Sequence, residues 1–189
     1  NLYTDASEDV DDFMWNNPDF LILFGAGNQG YPAGNYGKVG SPGTAKNGMS
    51  MGATYYGQYA ENLADISSWG PTSDGRIKPE VVFPGQSVHS ADGDGNITTN
   101  NCGEAGGSGT SYASPGVVGN ALLVREYFMD GWYPNGVATP ADAFTPTAAL
   151  VKAMLVNSAV SITWDNGGNL LDIPHAAQCG GRTRLESAL

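Results

Sequence analysis

The segment Gly107-Ser108-Gly109-Thr110-Ser111-Tyr112-Ala113-Ser114-Pro115 runs straight into an apolar stretch, residues 113–128, that holds almost no polar side chain before Arg125. Small residues let a backbone pass close to another group, and the apolar stretch predicts a helix buried nearly all round. A hydroxyl at the N-terminus of such a helix sits where amide dipoles stabilise negative charge. Ser111 is therefore a candidate nucleophile. Taken alone, the segment reads more readily as Thr110, Ser111 or Ser114 serving only as an N-cap, the commonest use of a hydroxyl at that place. The Gly-x-Ser-x-Gly elbow of α/β-hydrolases is not formed, because position 113 is Ala.

A second candidate, Gly25-Ala26-Gly27-Asn28-Gln29-Gly30, satisfies G-x-G-x-x-G and follows the apolar run Phe20-Leu21-Ile22-Leu23-Phe24. A dinucleotide site needs a helix that starts within the glycine turn, to hold the pyrophosphate, and an acidic residue ~20 positions on. The chain continues instead as Tyr31-Pro32-Ala33-Gly34-Asn35-Tyr36-Gly37, which cannot be helical. A strand ending in a glycine turn that displays the Asn28 amide fits better, and a nucleotide-binding α/β protein is the outlying alternative. A third segment, Ser67-Ser68-Trp69-Gly70-Pro71-Thr72 followed by Asp74-Gly75-Arg76-Ile77-Lys78-Pro79-Glu80 and Phe83-Pro84-Gly85, alone suggests surface loops.

The elements that must position these residues alternate between strand and helix patterns, as in a doubly wound α/β sheet. Ser7, followed by Glu8, Asp9, Asp11 and Asp12, predicts a capped helix start, and Asn16-Asn17-Pro18 predicts its stop. Residues 20–24 read as a strand buried on both faces, hence part of a parallel sheet. Further short strands are expected over 49–53, over 81–83 and at Val88. Thr145 as N-cap with Pro146 at the first position predicts another helix, with Leu150, Val151, Met154 and Leu155 on its apolar face.

Composition narrows the partners. The 189 residues hold 19 acidic and 8 basic side chains, for a net charge of −11. That balance argues against a phosphate-neutralising nucleic-acid surface and disfavours anionic membranes. No apolar run approaches the ~20 residues that span a bilayer. The first residues carry neither a basic segment nor Met, so Asn1 is expected not to be the native start. With 27 Gly and 11 Pro but 41% hydrophobic residues, the chain reads as a loop-rich globular domain or a piece of one. Cys102 and Cys179 allow one bridge or two unpaired buried thiols, and a bridge would suit an extracellular setting. Asp92-Gly93-Asp94-Gly95-Asn96 is part of a calcium-loop pattern without its closing Glu, or an acidic turn. Asn96-Ile97-Thr98 is a glycosylation triplet, relevant only in a eukaryote that secretes the protein.

Taken together and in order, the three motif segments resemble the second half of a subtilisin-like serine protease (subtilase, peptidase S8) catalytic domain, over residues 1–189. In that family a strand ends in A-G-N, a segment like S-S-x-G-P, D-G-R-I-K-P-D and A-P-G follows, and G-T-S-M-A-x-P carries the nucleophile. Thr44-Ala45-Lys46-Asn47 and Ala149-Leu150-Val151-Lys152-Ala153 are most similar to the branch of large alkaline subtilases with a C-terminal β-barrel. The resemblance implies a three-layer αβα fold with a mostly parallel sheet and secretion to the extracellular space. It also implies a serine endopeptidase acting on protein or peptide substrates, with no cofactor needed for chemistry and structural calcium as an option. Ser111 would be the nucleophile, Asn28 and the Ser111 backbone N–H the oxyanion donors, and Gly25, Ala26, Gly27 and Gly40 walls of the specificity pocket.

The departures are as informative. The family's D-T-G-like and H-G-T-like motifs, which precede the Asn, are absent. The two histidines do not replace them: His89 falls on an ordinary strand position and His175 is expected at the surface. This implies that the triad His and Asp lie in an upstream segment of the same domain; a non-catalytic, peptide-binding pseudoprotease is the alternative. Tyr112 stands where the family commonly has Met, an oxidation-sensitive residue. Cys179-Gly180-Gly181-Arg182 stands where G-W-G-R is frequent, and Cys102 could tether the nucleophile loop to Cys179.

Overall fold

The computed structural model describes residues 1–30, 38–162 and 171–187. Helix α1 (Asp5–Asn16) precedes strand β1 (Leu23–Gly25), which is followed by β2 (Met49–Tyr55) and β3 (Val81–Gln86). Strands β4 (Val88–Ala91) and β5 (Glu104–Gly107) lead into α2 (Thr110–Met129); α3 (Ala148–Asn157), β6 (Ala159–Val160) and β7 (Arg182–Thr183) complete the fold. One sheet has the order β1-β2-β3-β7-β6, parallel except for the β6–β7 pair, and β4 and β5 form a separate antiparallel hairpin. This is the expected mostly parallel α/β architecture.

The first helix begins earlier than its sequence cap predicts. Thr4 holds the N-cap position without a side-chain capping bond, its hydroxyl bonding Ser41 Oγ instead, while Ser7 is buried one turn in, its hydroxyl 2.9 Å from Ser41 Oγ and 2.8 Å from Thr44 Oγ1. Asp5 and Glu8 supply first-turn carboxylates that suit the helix dipole, so Ser7 can serve the tertiary contact instead. The helix stops at Asn17, whose N–H donates to the Phe13 carbonyl, as Asn-Asn-Pro predicts.

Only the end of the 20–24 run becomes strand. Phe20 is exposed and Leu23 and Phe24 are half-buried, and among the described residues β1 pairs with β2 alone. Their register, Leu23↔Met49 to Gly25↔Met51, sets the turn after β1 against the buried centre of the sheet. Met49, Met51 and Val81 meet Val117, Val124 and Phe128 of α2 and Val151 and Leu155 of α3 in one core. Each such side chain contributes ~1.5–3 kcal/mol on burial.

Helix α2 is not buried all round: Val118, Leu122 and Leu123 are exposed on the flank away from this core. Helix α3 starts two residues later than predicted. Pro146 is buried ahead of the helix, and the Thr147 hydroxyl caps it by accepting from the Leu150 N–H at 3.2 Å.

At the starts of β2 and β3 lies a buried ion network. Glu80 Oε1 is 2.5 Å from Lys78 Nζ and 2.9 Å from Lys152 Nζ, and Oε2 accepts from the Ser50 N–H and hydroxyl at 2.8 and 3.0 Å. Both ammonium groups also donate to the Gly48 carbonyl. Burial alone would raise the Glu80 pKa, but the two ammonium groups outweigh it and hold the carboxyl below its usual value. Glu80 joins β3 to the start of β2 and to α3, so removing it leaves two cations without their anion. We expect Glu80→Ala to cost about 3–5 kcal/mol in urea unfolding at neutral pH. A depressed carboxyl pKa stabilises the fold above the unfolded value of ~4.3 and loses that contribution as pH falls through the folded value. The stability gap between wild type and Glu80→Gln should therefore narrow on acidification.

Candidate active site

The turn that leaves β1 and the N-terminus of α2 are joined by three hydrogen bonds across more than eighty residues of sequence. Asn28 Oδ1 accepts from the Thr110 N–H at 2.8 Å and from the Thr110 hydroxyl at 3.1 Å, and the Gly27 N–H donates to Thr110 Oγ1 at 3.2 Å. With its oxygen engaged, the Asn28 amide leaves Nδ2 as a donor. A carbon added at Gly109 would lie 3.4 Å from Asn28 Nδ2 and 3.0 Å from Ser111 Oγ, so both polar atoms border the same small space.

Ser111 is exposed, within the first turn of α2. Gly109 holds the N-cap position, and neither Thr110, Ser111 nor Ser114 caps the helix. Ser114 instead donates back to the Thr110 carbonyl at 2.9 Å. The Ser111 backbone N–H has no acceptor among the described residues, as first-turn amides generally lack one within the helix. A hydroxyl, a backbone N–H and a side-chain amide thus converge at a helix N-terminus, a set able to attack a carbonyl and hold the oxyanion that forms.

The four glycine and alanine positions expected around a pocket have different surroundings. Ala26 is buried, donates to the Met51 carbonyl at 2.8 Å and accepts from the Gly40 N–H at 3.2 Å. Gly40 is exposed, with no atom of the described residues within 4 Å of a Cβ built there. Gly25 has a different surrounding: its Cβ would come 2.8 Å from Thr110 Oγ1 and 3.3 Å from the Ser111 nitrogen. Gly27 adopts φ +115°, and its Cβ would lie 2.9 Å from Ser68 Oγ. The missing side chains of Gly25 and Gly27 therefore let α2 and the Ser67–Ser68 turn approach, and Gly40 is the one of the three glycines that opens outward. Ser68 completes the turn, donating to Gln29 Oε1 at 3.0 Å and accepting from the Gln29 N–H at 3.1 Å. Beside Ser111, a mostly apolar groove of about 590 Å³ is lined by Tyr56, Phe83, Val88, Tyr112 and Pro115.

Sequence reasoning missed the bridging role of Thr110. The only signal was its place directly before Ser111, which by itself reads as a cap. The other candidates lie elsewhere. His89 is on β4 with its ring against Gly106, and His175 is half-buried against the Trp69 ring at 5.3 Å rather than at the surface. Cys102 and Cys179 are both free, so the nucleophile loop is not tethered by a bridge; Cys102 is exposed on the hairpin. The Asp94 carboxylate accepts from the Asn96 N–H and the Thr99 hydroxyl of its own loop. Among the described residues no group of three or more His, Cys, Asp or Glu is placed to hold a metal, and no helix is long and apolar enough to cross a membrane. The residues 31–37 that argued against a dinucleotide fingerprint lie outside the described residues.

The sequence matches the model of the subtilase family over residues 1–183. Among curated proteins it is 28% identical over 239 aligned residues to the serine protease/ABC transporter B family protein tagD of Dictyostelium discoideum, covering 83% of this chain and 13% of that protein. Among solved structures, sphericase aligns with a TM-score of 0.65 at 26% identity, over 95% of this chain and 52% of its own. The S41 psychrophilic protease aligns with a TM-score of 0.66 at 25% identity, over 94% and 52%. The chain thus spans about half the length of these solved proteases and a small part of the curated relative.

The glycines differ in a measurable way. Gly25→Ala should cost about 1–3 kcal/mol by overpacking against Thr110, whereas Gly40→Ala should stay within about 0.5 kcal/mol. Urea midpoints of the two variants check the contrast.

Proposed function

The chain belongs to the subtilase family, and from that membership we propose that residues 1–189 are the C-terminal part of a serine endopeptidase domain. Ser111 is the nucleophile in this proposal, and Asn28 an oxyanion donor. The observation that carries it is the convergence of Ser111 Oγ and Asn28 Nδ2 on one space, fixed through Thr110. The substrate is a protein or peptide, whose scissile carbonyl lies against Ser111 and whose chain crosses the groove beside Tyr112. Attack by Ser111 Oγ moves the carbonyl electrons onto oxygen, where Asn28 Nδ2 and the Ser111 N–H donate. Thr110 holds the amide in place, so the donors need no reorganisation as charge develops. Ala26 and Gly40 line the recess that receives the side chain preceding the scissile bond, with Gly25 and Gly27 forming the backbone behind it.

A serine hydroxyl needs a base to become a competent nucleophile. Neither histidine meets Ser111 among the described residues, so the proposal assigns the base and its orienting Asp to an upstream segment of the same domain. The same observation favours a second reading, a peptide-binding pseudoprotease that retains the site without a base. The charge of −11 suits an extracellular protein and argues against a nucleic-acid partner.

In the full-length protein, a fluorophosphonate probe should label Ser111, and Ser111→Ala should abolish labelling. A folded full-length protein that takes no label would decide for the pseudoprotease. With labelling established, Asn28→Leu should lower kcat by about 10²–10³ with little change in KM, the signature of a lost transition-state donor. Peroxide should spare activity at residue 112, where Tyr offers no thioether; inactivation that maps oxidation to Tyr112 would contradict this.

A further inference from the structure

The β4–β5 hairpin leads to Ser111 at one end and projects into solvent at the other, and every residue from His89 to Glu104 is exposed. Near its outer tip stands Asn96-Ile97-Thr98, the only Asn-x-Ser/Thr triplet with x other than Pro in the sequence. Its geometry is that of an open acceptor. Asn96 Oδ1 accepts from the Thr98 N–H at 3.0 Å and the Thr98 hydroxyl at 2.8 Å, and the Asn96 N–H donates to Asp94 Oδ1 at 2.8 Å. The amide is therefore held through its oxygen, while Nδ2 donates to no acceptor among the described residues. Ile97 between them is fully exposed, at 102%. Among the described residues, Asn96, Ile97 and Thr98 are all exposed, leaving room for a bulky group.

The geometry points to Asn96 as an N-glycosylation site, used when the chain passes through a eukaryotic secretory route. The donor is an oligosaccharide carried on a lipid diphosphate. Asn96 Nδ2 forms a bond to the anomeric carbon, the bond from that carbon to the diphosphate oxygen breaks, and the lipid diphosphate leaves with the electron pair. One Nδ2 proton is lost to a base, and no oxidation or reduction is involved. The hairpin pairs run from Val88↔Gly107 near α2 to Ala91↔Glu104 toward the tip, placing the triplet about 10 Å or more beyond Gly107 at ~3.4 Å per residue. A glycan there covers the exposed loop against proteolysis and leaves the space around Ser111 open. This inference is independent of whether Ser111 is activated.

The test is secretion of the full-length protein from a eukaryotic host, followed by release with peptide N-glycosidase in ¹⁸O-water and mass spectrometry. The peptide containing Asn96 should carry ¹⁸O-labelled Asp at that position. The gel shift on enzyme treatment should vanish in Asn96→Gln and Thr98→Ala and persist in Thr98→Ser, which keeps the hydroxyl. Ile97→Pro should also remove the glycan while leaving both acceptor residues in place. Unmodified Asn96 in folded, secreted protein, or a glycan that survives Thr98→Ala, overturns the proposal. Fluorophosphonate labelling is read separately on the same samples, so a chain inert toward the probe still reports on Asn96.

Discussion

Everything around Ser111 hangs on the contact between the turn after β1 and the first turn of α2. Three hydrogen bonds cross it, all of them to Thr110 or Asn28, and Gly25 allows it by having no Cβ. The helix N-terminus also contributes its unpaired amides, so one contact both closes the fold locally and concentrates donors beside a hydroxyl. Losing it would separate Asn28 from Ser111 even with the core intact.

That contact rests on a rigid base. Among the described residues β1 pairs with β2 alone, and that register ties the turn to the most buried strand of the sheet. Strand β2 is held in turn by the Glu80–Lys78–Lys152 network at its start and by the packing of α2 and α3 over Met49 and Met51. The network costs desolvation and returns geometry: one carboxylate fixes two cations, a backbone N–H and a hydroxyl. Residues 89–104 of the hairpin β4–β5 are exposed, so its tip can carry a bulky group at a distance from Ser111.

Legibility in the sequence followed the range of the interactions involved. The central part of α2 was readable because sixteen residues of apolar pattern leave one solution, and its helical start three residues earlier was not, because the residues that end it bond to Asn28 rather than to a local cap. The same substitution of tertiary for local partners misplaced the cap of α1, where Ser7 turns to Ser41 and Thr44. His175 looked like a surface residue because its ring partner, Trp69, is more than a hundred positions away. The Cys102–Cys179 bridge failed for a related reason: two cysteines in a sequence state that a bond is countable, and only the fold decides whether the sulfur atoms meet.

By itself, the sequence determined the apolar periodicities, the alternation of strand and helix, the excess of acid over base and the residue types able to do acyl chemistry. Those are local or compositional properties, carried by the residues wherever they sit. Only the tertiary structure decided that Asn28 and Ser111 face one space, that Thr110 orients the amide, and that Gly40 opens outward while Gly25 and Gly27 are filled by neighbours. Each of these depends on atoms brought together across tens of residues, and the energy that brings them together comes from burying the Met49–Val117–Leu155 core rather than from the site's own residues.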